Sequence, residues 1–151
     1  MKNVLIIFLS IAILTGFVLS AVIAQTEGKG TFDGIYDRIQ PKDGVKEITY
    51  DEFINIRNSG ESYVLIDVLS PDSYTSGHIP GAISMPLDTI TPENAAKLLS
   101  KDDNIIVYCG SFTCPASTAA AKKLSEMGYR ALDYKGGLKE WQEKGNQLVK
   151  K

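Results

Sequence analysis

Two short apolar runs constrain this chain more than any other feature: YVLIDV at residues 63–68 and NIIVYC at residues 104–109. Each has strand length, and neither alternates polar with apolar residues. Such strands are covered on both faces, which is the habit of a parallel sheet. The segments between and around them carry helix signals. Thr49 can cap a helix, with Glu52 three residues on and Phe53, Ile54 and Ile56 as its apolar positions. Residues 71–74 and 91–99 suggest two further short helices. Residues 116–127 are rich in Ala, Lys and Leu and are closed by Gly128. Short strands are expected at 45–48, 82–85 and 130–134, and a last helix at 138–143. Strands alternating with helices predict an α/β fold of three layers, a central parallel sheet flanked by helices. In such folds, ligands gather at the carboxyl ends of the strands, and Cys109 is the last residue of its expected strand.

The first 24 residues differ from the rest. Lys2 precedes an apolar stretch broken only by Ser10, Thr15 and Gly16, and small residues lead up to Ala24 before polar Gln25. This is the pattern of a signal peptide cleaved after Ala24. The stretch is also long enough to span a bilayer as an uncleaved anchor. Either way the domain is expected outside the cytoplasm, in the periplasm or another extracytoplasmic space, and it meets a membrane only if residues 1–24 stay attached. Residues 25–44 are polar and hold few periodic apolar positions, so they read as a linker. Residues 45–151 form the expected domain. The net charge is −2 and no basic stripe is present, so nothing points to nucleic acid. Two cysteines and one distant histidine are too few for a structural metal site.

The segment VYCGSFTCPAS at residues 107–117 bears the chemistry. A strand delivers Cys109 into a loop of Gly110, Ser111, Phe112, Thr113 and Cys114, and Pro115 then opens a helix, where its missing N–H costs little. Small residues let such a loop curl with its N–H groups inward, a nest that stabilises an anion. The expectation is a Cys109 thiolate favoured below the usual thiol range. The competing expectation is a buried packing cysteine, since free cysteine is among the most buried residue types.

Three segments together resemble the rhodanese family. LIDVLSPDSYTSGHIPGAISMP at 65–86 resembles its strand ending in Asp, short helix and GHIPGA turn. VYC with its loop and the helix ending in MGY is the second segment, and YKGGLKEWQEKG at 134–145 is similar to its closing GG-x-x-x-W segment. The resemblance implies a rhodanese-like three-layer fold over residues 45–151. It also implies a sulfurtransferase or sulfur carrier in which Cys109 takes up sulfane sulfur as a persulfide, with residues 110–114 cradling the outer sulfur. The donor would be small, of the thiosulfate, persulfide or mercaptopyruvate class, and the acceptor a thiol or cyanide. No metal or organic cofactor is implied.

Two departures matter. The loop holds no Arg, and the first basic residue after Cys109 is Lys122, inside the helix. The related phosphatases need Cys-x5-Arg, and Pro115 stands at that position, which argues against phosphatase action. The second departure is Cys114, able either to resolve an oxidised Cys109 as a disulfide or simply to pack. A thiol–disulfide redox protein using Cys109 and Cys114, and a non-catalytic binding module, therefore remain as alternatives. His78 and Trp141 are expected to serve structure, His78 within its turn and Trp141 in the core.

Overall fold

The computed structural model describes residues 30–151, so the expected export segment lies outside the described residues. Five parallel strands make one sheet in the order β1-β5-β4-β2-β3. They are β1 Lys46–Ile48, β2 Val64–Asp67, β3 Ala82–Ser84, β4 Asn104–Tyr108 and β5 Arg130–Tyr134. The helices are α1 Phe32–Arg38, α2 Tyr50–Asn58, α3 Pro71–Ser76, α4 Pro92–Leu98, α5 Ala116–Glu126 and α6 Gly137–Glu143. The expected three-layer α/β architecture is present, with strand β4 at the centre between β5 and β2.

Local chemistry accounts for the element ends. The Thr49 hydroxyl accepts from the Glu52 N–H at 3.3 Å, and the Glu52 carboxylate accepts from the Thr49 N–H at 2.9 Å. This reciprocal box satisfies two donors that the first turn of α2 would leave unpaired. Thr91 caps α4 through the Asn94 N–H. Gly128, at φ +81°, ends α5 in a conformation that favours glycine.

Strand alternation divides the core. Ile105, Val107 and Cys109 point to the layer that holds Ala120, Ala121 and Leu124 of α5. Ile106 and Tyr108 point to the other layer, with Phe53, Leu132 and Trp141. The period of two thus aims the Cys109 side chain at α5.

The linker expected at 25–44 is corrected over its described part. Helix α1 lies there, and Phe32 and Ile35 are fully buried in the second core cluster. Thr31 caps the helix through the Gly34 N–H, and Asp33 pairs with Arg130 at 2.6 Å. Two apolar residues three apart give a seven-residue helix one buried stripe. The remaining polar residues face water and hide that stripe in the composition.

Candidate active site

Cys109 directly follows β4, at the carboxyl end of the central strand. Its main chain is clamped by α6. The Leu138 N–H donates to the Cys109 carbonyl at 3.0 Å, and the Lys139 N–H donates to the Gly110 carbonyl at 2.9 Å. This approach requires Gly137. Its φ is +58°, and a Cβ there would lie 2.1 Å from the Cys109 carbonyl oxygen. The second glycine of the YKGG segment is therefore what lets α6 hold the end of β4.

Beyond Cys109 the loop makes a turn of its own. The Cys114 N–H donates to the Ser111 carbonyl at 3.0 Å, and the Ser111 and Thr113 hydroxyls are 3.1 Å apart. Phe112 stands at the tip, 57% exposed. The Cys109 sulfur lies underneath with no exposed surface. It is 3.3 Å from the Ser117 hydroxyl, 3.4 Å from the Cys114 carbonyl oxygen and 3.9 Å from the Ser111 carbonyl oxygen.

Two N–H groups of the expected cradle are engaged elsewhere: that of Cys114 on the Ser111 carbonyl and that of Gly110 at the Cys114 thiol. Two carbonyl oxygens and the Ser117 hydroxyl face its sulfur, each placed to accept its one thiol proton. Burial, reinforced by the Cys114 side chain, pushes the Cys109 thiol up, against the Ser117 hydroxyl and N–H. The reason lies in the length of the loop. Between Cys109 and Ser117 there is room for the turn from Ser111 to Cys114, and that turn rotates carbonyls inward.

The anion-stabilising groups gather on Cys114 instead. Partial burial opposes charge there, but the Cys109 thiol, the Gly110 and Ala116 N–H groups and the nearby Lys135 hold the Cys114 thiol below the usual range. Both cysteines are free thiols, Cys109 buried and Cys114 half-buried.

Sequence reasoning missed three residues of this site. Lys135 Nζ donates to the Cys114 carbonyl at 2.7 Å and to the Thr118 hydroxyl at 2.8 Å. The Thr118 hydroxyl donates to Asp133 Oδ2 at 2.7 Å. Asp133 Oδ1 is buried with no hydrogen-bond partner. A signal was available, because Lys135 is the first residue after β5, and the carboxyl-end rule that singles out Cys109 applies equally to the neighbouring strand.

The GHIPGA turn is tied in on the opposite face of β4. The Tyr108 hydroxyl donates to Asp67 Oδ2 at 2.9 Å and accepts from the Ile79 N–H at 3.0 Å. His78 Nδ1 lies 2.9 Å from the Tyr74 carbonyl, and its ring stacks on Tyr74. His78 thus serves the turn, and it lies across the sheet from the thiols. Trp141 is buried against Phe53 and donates to the Gln147 carbonyl at 3.0 Å.

A sequence profile of the rhodanese-like domain matches residues 49–144. The chain belongs to the rhodanese family. It is 39% identical over 75 residues to the thiosulfate sulfurtransferase PspE of Escherichia coli, covering 50% of this chain and 70% of that protein. It is 31% identical over 90 residues to a sulfurtransferase of Allochromatium vinosum, covering 59% of this chain and 80% of that protein. A solved structure of a Bacillus halodurans protein superposes with a TM-score of 0.63 at 32% identity, covering 70% of this chain and 77% of that one. Other relatives are longer, and the chain spans 42% and 28% of two of them. Sulfurtransferases are thus among the named relatives of this rhodanese-like domain.

Proposed function

We propose that this domain is a sulfurtransferase that carries sulfane sulfur as a persulfide on Cys109. The thiolate of Cys109 attacks the outer sulfur of a donor of the thiosulfate, persulfide or mercaptopyruvate class. The new S–S bond forms as the donor's bond to that sulfur breaks, and the donor remnant leaves with the electron pair. With thiosulfate the remnant is sulfite. A thiol or cyanide then attacks the outer sulfur and returns Cys109 as thiolate. The observation that supports this most is the sulfur's seat at the carboxyl end of β4, with the Ser117 hydroxyl 3.3 Å away.

The resting site calls for one movement. Cys109 is buried and its proton faces carbonyls, so the 110–114 loop must lift before a donor reaches it. Lys135 supplies the positive charge that the loop lacks, near enough to hold an anionic donor once the loop is raised. The test is intact-mass analysis of the full chain after thiosulfate or cysteine persulfide. A gain of one sulfur, lost in Cys109→Ser, is expected. A wild-type chain that never gains sulfur from either donor refutes the proposal.

Export is the companion proposal, supported by the apolar stretch before Gln25. Cell fractionation that recovers the protein with cytosolic markers would overturn it.

A further inference from the structure

Residues 109 and 114 are the chain's two cysteines, and the fold sets them against each other in unequal surroundings. The Cys109 sulfur lies 3.4 Å from the main-chain oxygen of Cys114, so the loop folds the second cysteine back over the first. The Cys114 side chain pushes the Cys109 thiol up, while the Cys109 side chain pulls the Cys114 thiol down. Their exposure differs: Cys109 is sealed, while Cys114 reaches the surface beside the loop tip. Lys135 anchors Cys114 by its carbonyl and does not occupy the thiol. The side-chain side of Gly110 is open, and an added Cβ there would meet no atom within 4 Å.

We infer that Cys114 is a resolving thiol, which discharges the Cys109 persulfide as hydrosulfide and leaves a reversible Cys109–Cys114 disulfide. This rests on the Cys109 persulfide proposed above. The Cys114 thiolate attacks Cys109 Sγ, the inner sulfur. The Sγ–Sγ bond forms and the bond from Cys109 Sγ to the outer sulfur breaks. The outer sulfur leaves with the electron pair and its own proton, as hydrosulfide. The sulfane sulfur is reduced and the two cysteine sulfurs are oxidised to the disulfide, so no other reactant enters the step. Reset needs an external dithiol, which exchanges at the exposed Cys114 sulfur, returns both thiols and is itself oxidised.

The electrostatics suit these roles. The attacking thiol is the one whose neighbours favour the anion. A domain built this way turns donor sulfur into hydrosulfide with electrons from a dithiol. In an oxidising compartment it rests as the disulfide, unable to accept sulfur.

The reduced full-length chain, freed of reductant, is treated with thiosulfate or cysteine persulfide, separated from excess donor, and followed by intact mass and a hydrosulfide electrode. Wild type is expected to pass from one sulfur heavier to two hydrogens lighter, releasing one hydrosulfide per chain, with dithiothreitol restoring the starting mass. Cys114→Ser and Cys114→Ala are expected to stay one sulfur heavier and to release at least about tenfold less hydrosulfide. If wild type also stays one sulfur heavier without releasing hydrosulfide, the resolving role is refuted while sulfur transfer stands. If neither wild type nor the Cys114 variants gain sulfur, the Cys109 persulfide itself is refuted and this inference falls with it.

Discussion

Gly137→Ala probes whether α6 positions the cysteine through one missing methyl group. A Cβ at 137 would sit 2.1 Å from the Cys109 carbonyl oxygen and 2.9 Å from its carbon, against an ordinary contact of 3.4–4 Å. The obstacle is buried main chain and cannot swing aside as a side-chain tip would. The positive φ of +58° adds about 1–2 kcal/mol for any residue with a Cβ. Relieving the overlap pulls α6 off the end of β4 and lengthens the two hydrogen bonds from Leu138 and Lys139, each worth about 1 kcal/mol net. The sum is about 3–4 kcal/mol, a large share of the ~5–15 kcal/mol that holds a typical domain together. For a domain of this size that lowers the melting temperature by about 10–20 °C. Gly128→Ala is the control. It has the same strained sign of φ, +81°, but its nearest neighbour is the Lys101 Nζ at 3.9 Å. It should cost only the ~1–2 kcal/mol of backbone strain. Thermal unfolding followed by circular dichroism measures both, and sulfur loading measures whether Cys109 is still seated. If the two variants lose the same stability, α6 is not braced against Cys109 and the clamp is wrong.

The thiols should react in an order opposite to their distance from β4. Near neutral pH, iodoacetamide is expected to label Cys114 first, because Cys109 is buried and held protonated while Cys114 is favoured as thiolate. Peptide mapping that finds Cys109 labelled first would contradict this order. Lys135→Gln should shift the pH midpoint of Cys114 labelling upward, since it removes the cation beside that thiol, and an unchanged midpoint would take Lys135 out of the site's electrostatics. Burial pushes the Asp133 carboxyl above the usual carboxylate range, against Thr118, Ser117 and Lys135. The folded chain then keeps this proton where the unfolded chain has lost it, so this contribution to stability falls as pH rises from about 4 through the folded value. The melting temperature of Asp133→Asn relative to wild type should therefore climb between about pH 4 and pH 7, and a constant difference would show that Asp133 ionises as an exposed acid does.

The fold was legible because its determinants are short-range. Unbroken apolar runs at β2 and β4 mark strands buried on both faces, and the Thr49–Glu52 pair writes a helix start into four residues. Glycines at 128 and 137 punctuate α5 and α6 for reasons a sequence shows only in part. Gly128 needs a positive φ, while Gly137 also needs to be small against a residue 28 positions away. Helix α1 escaped notice because Phe32 and Ile35 are its only fully buried residues, with Tyr36 half-buried beside them. Only their tertiary partners, Phe53 and the Arg130–Asp33 pair among them, distinguish it from a polar arm.

The site was legible in place but not in polarity. The carboxyl-end rule locates Cys109 from a strand boundary alone. Which way each peptide faces in the next five residues depends on whether the loop closes a turn, and spacing does not reveal that. Here the Cys114 N–H is spent on the Ser111 carbonyl, so the dipoles that were to hold a negative sulfur at 109 present their oxygens to it. Stabilisation of the anion passes to residue 114, where two amides and a lysine from β5's far end meet. The chemistry of the pair follows from that transfer. A protonated, sealed thiol is a poor first nucleophile, and an acidic, surface-reaching neighbour is a good second one. On the proposed persulfide chemistry, sulfur would be taken up only when the loop opens, and Cys114 would then be the thiol folded back over Cys109 to discharge it.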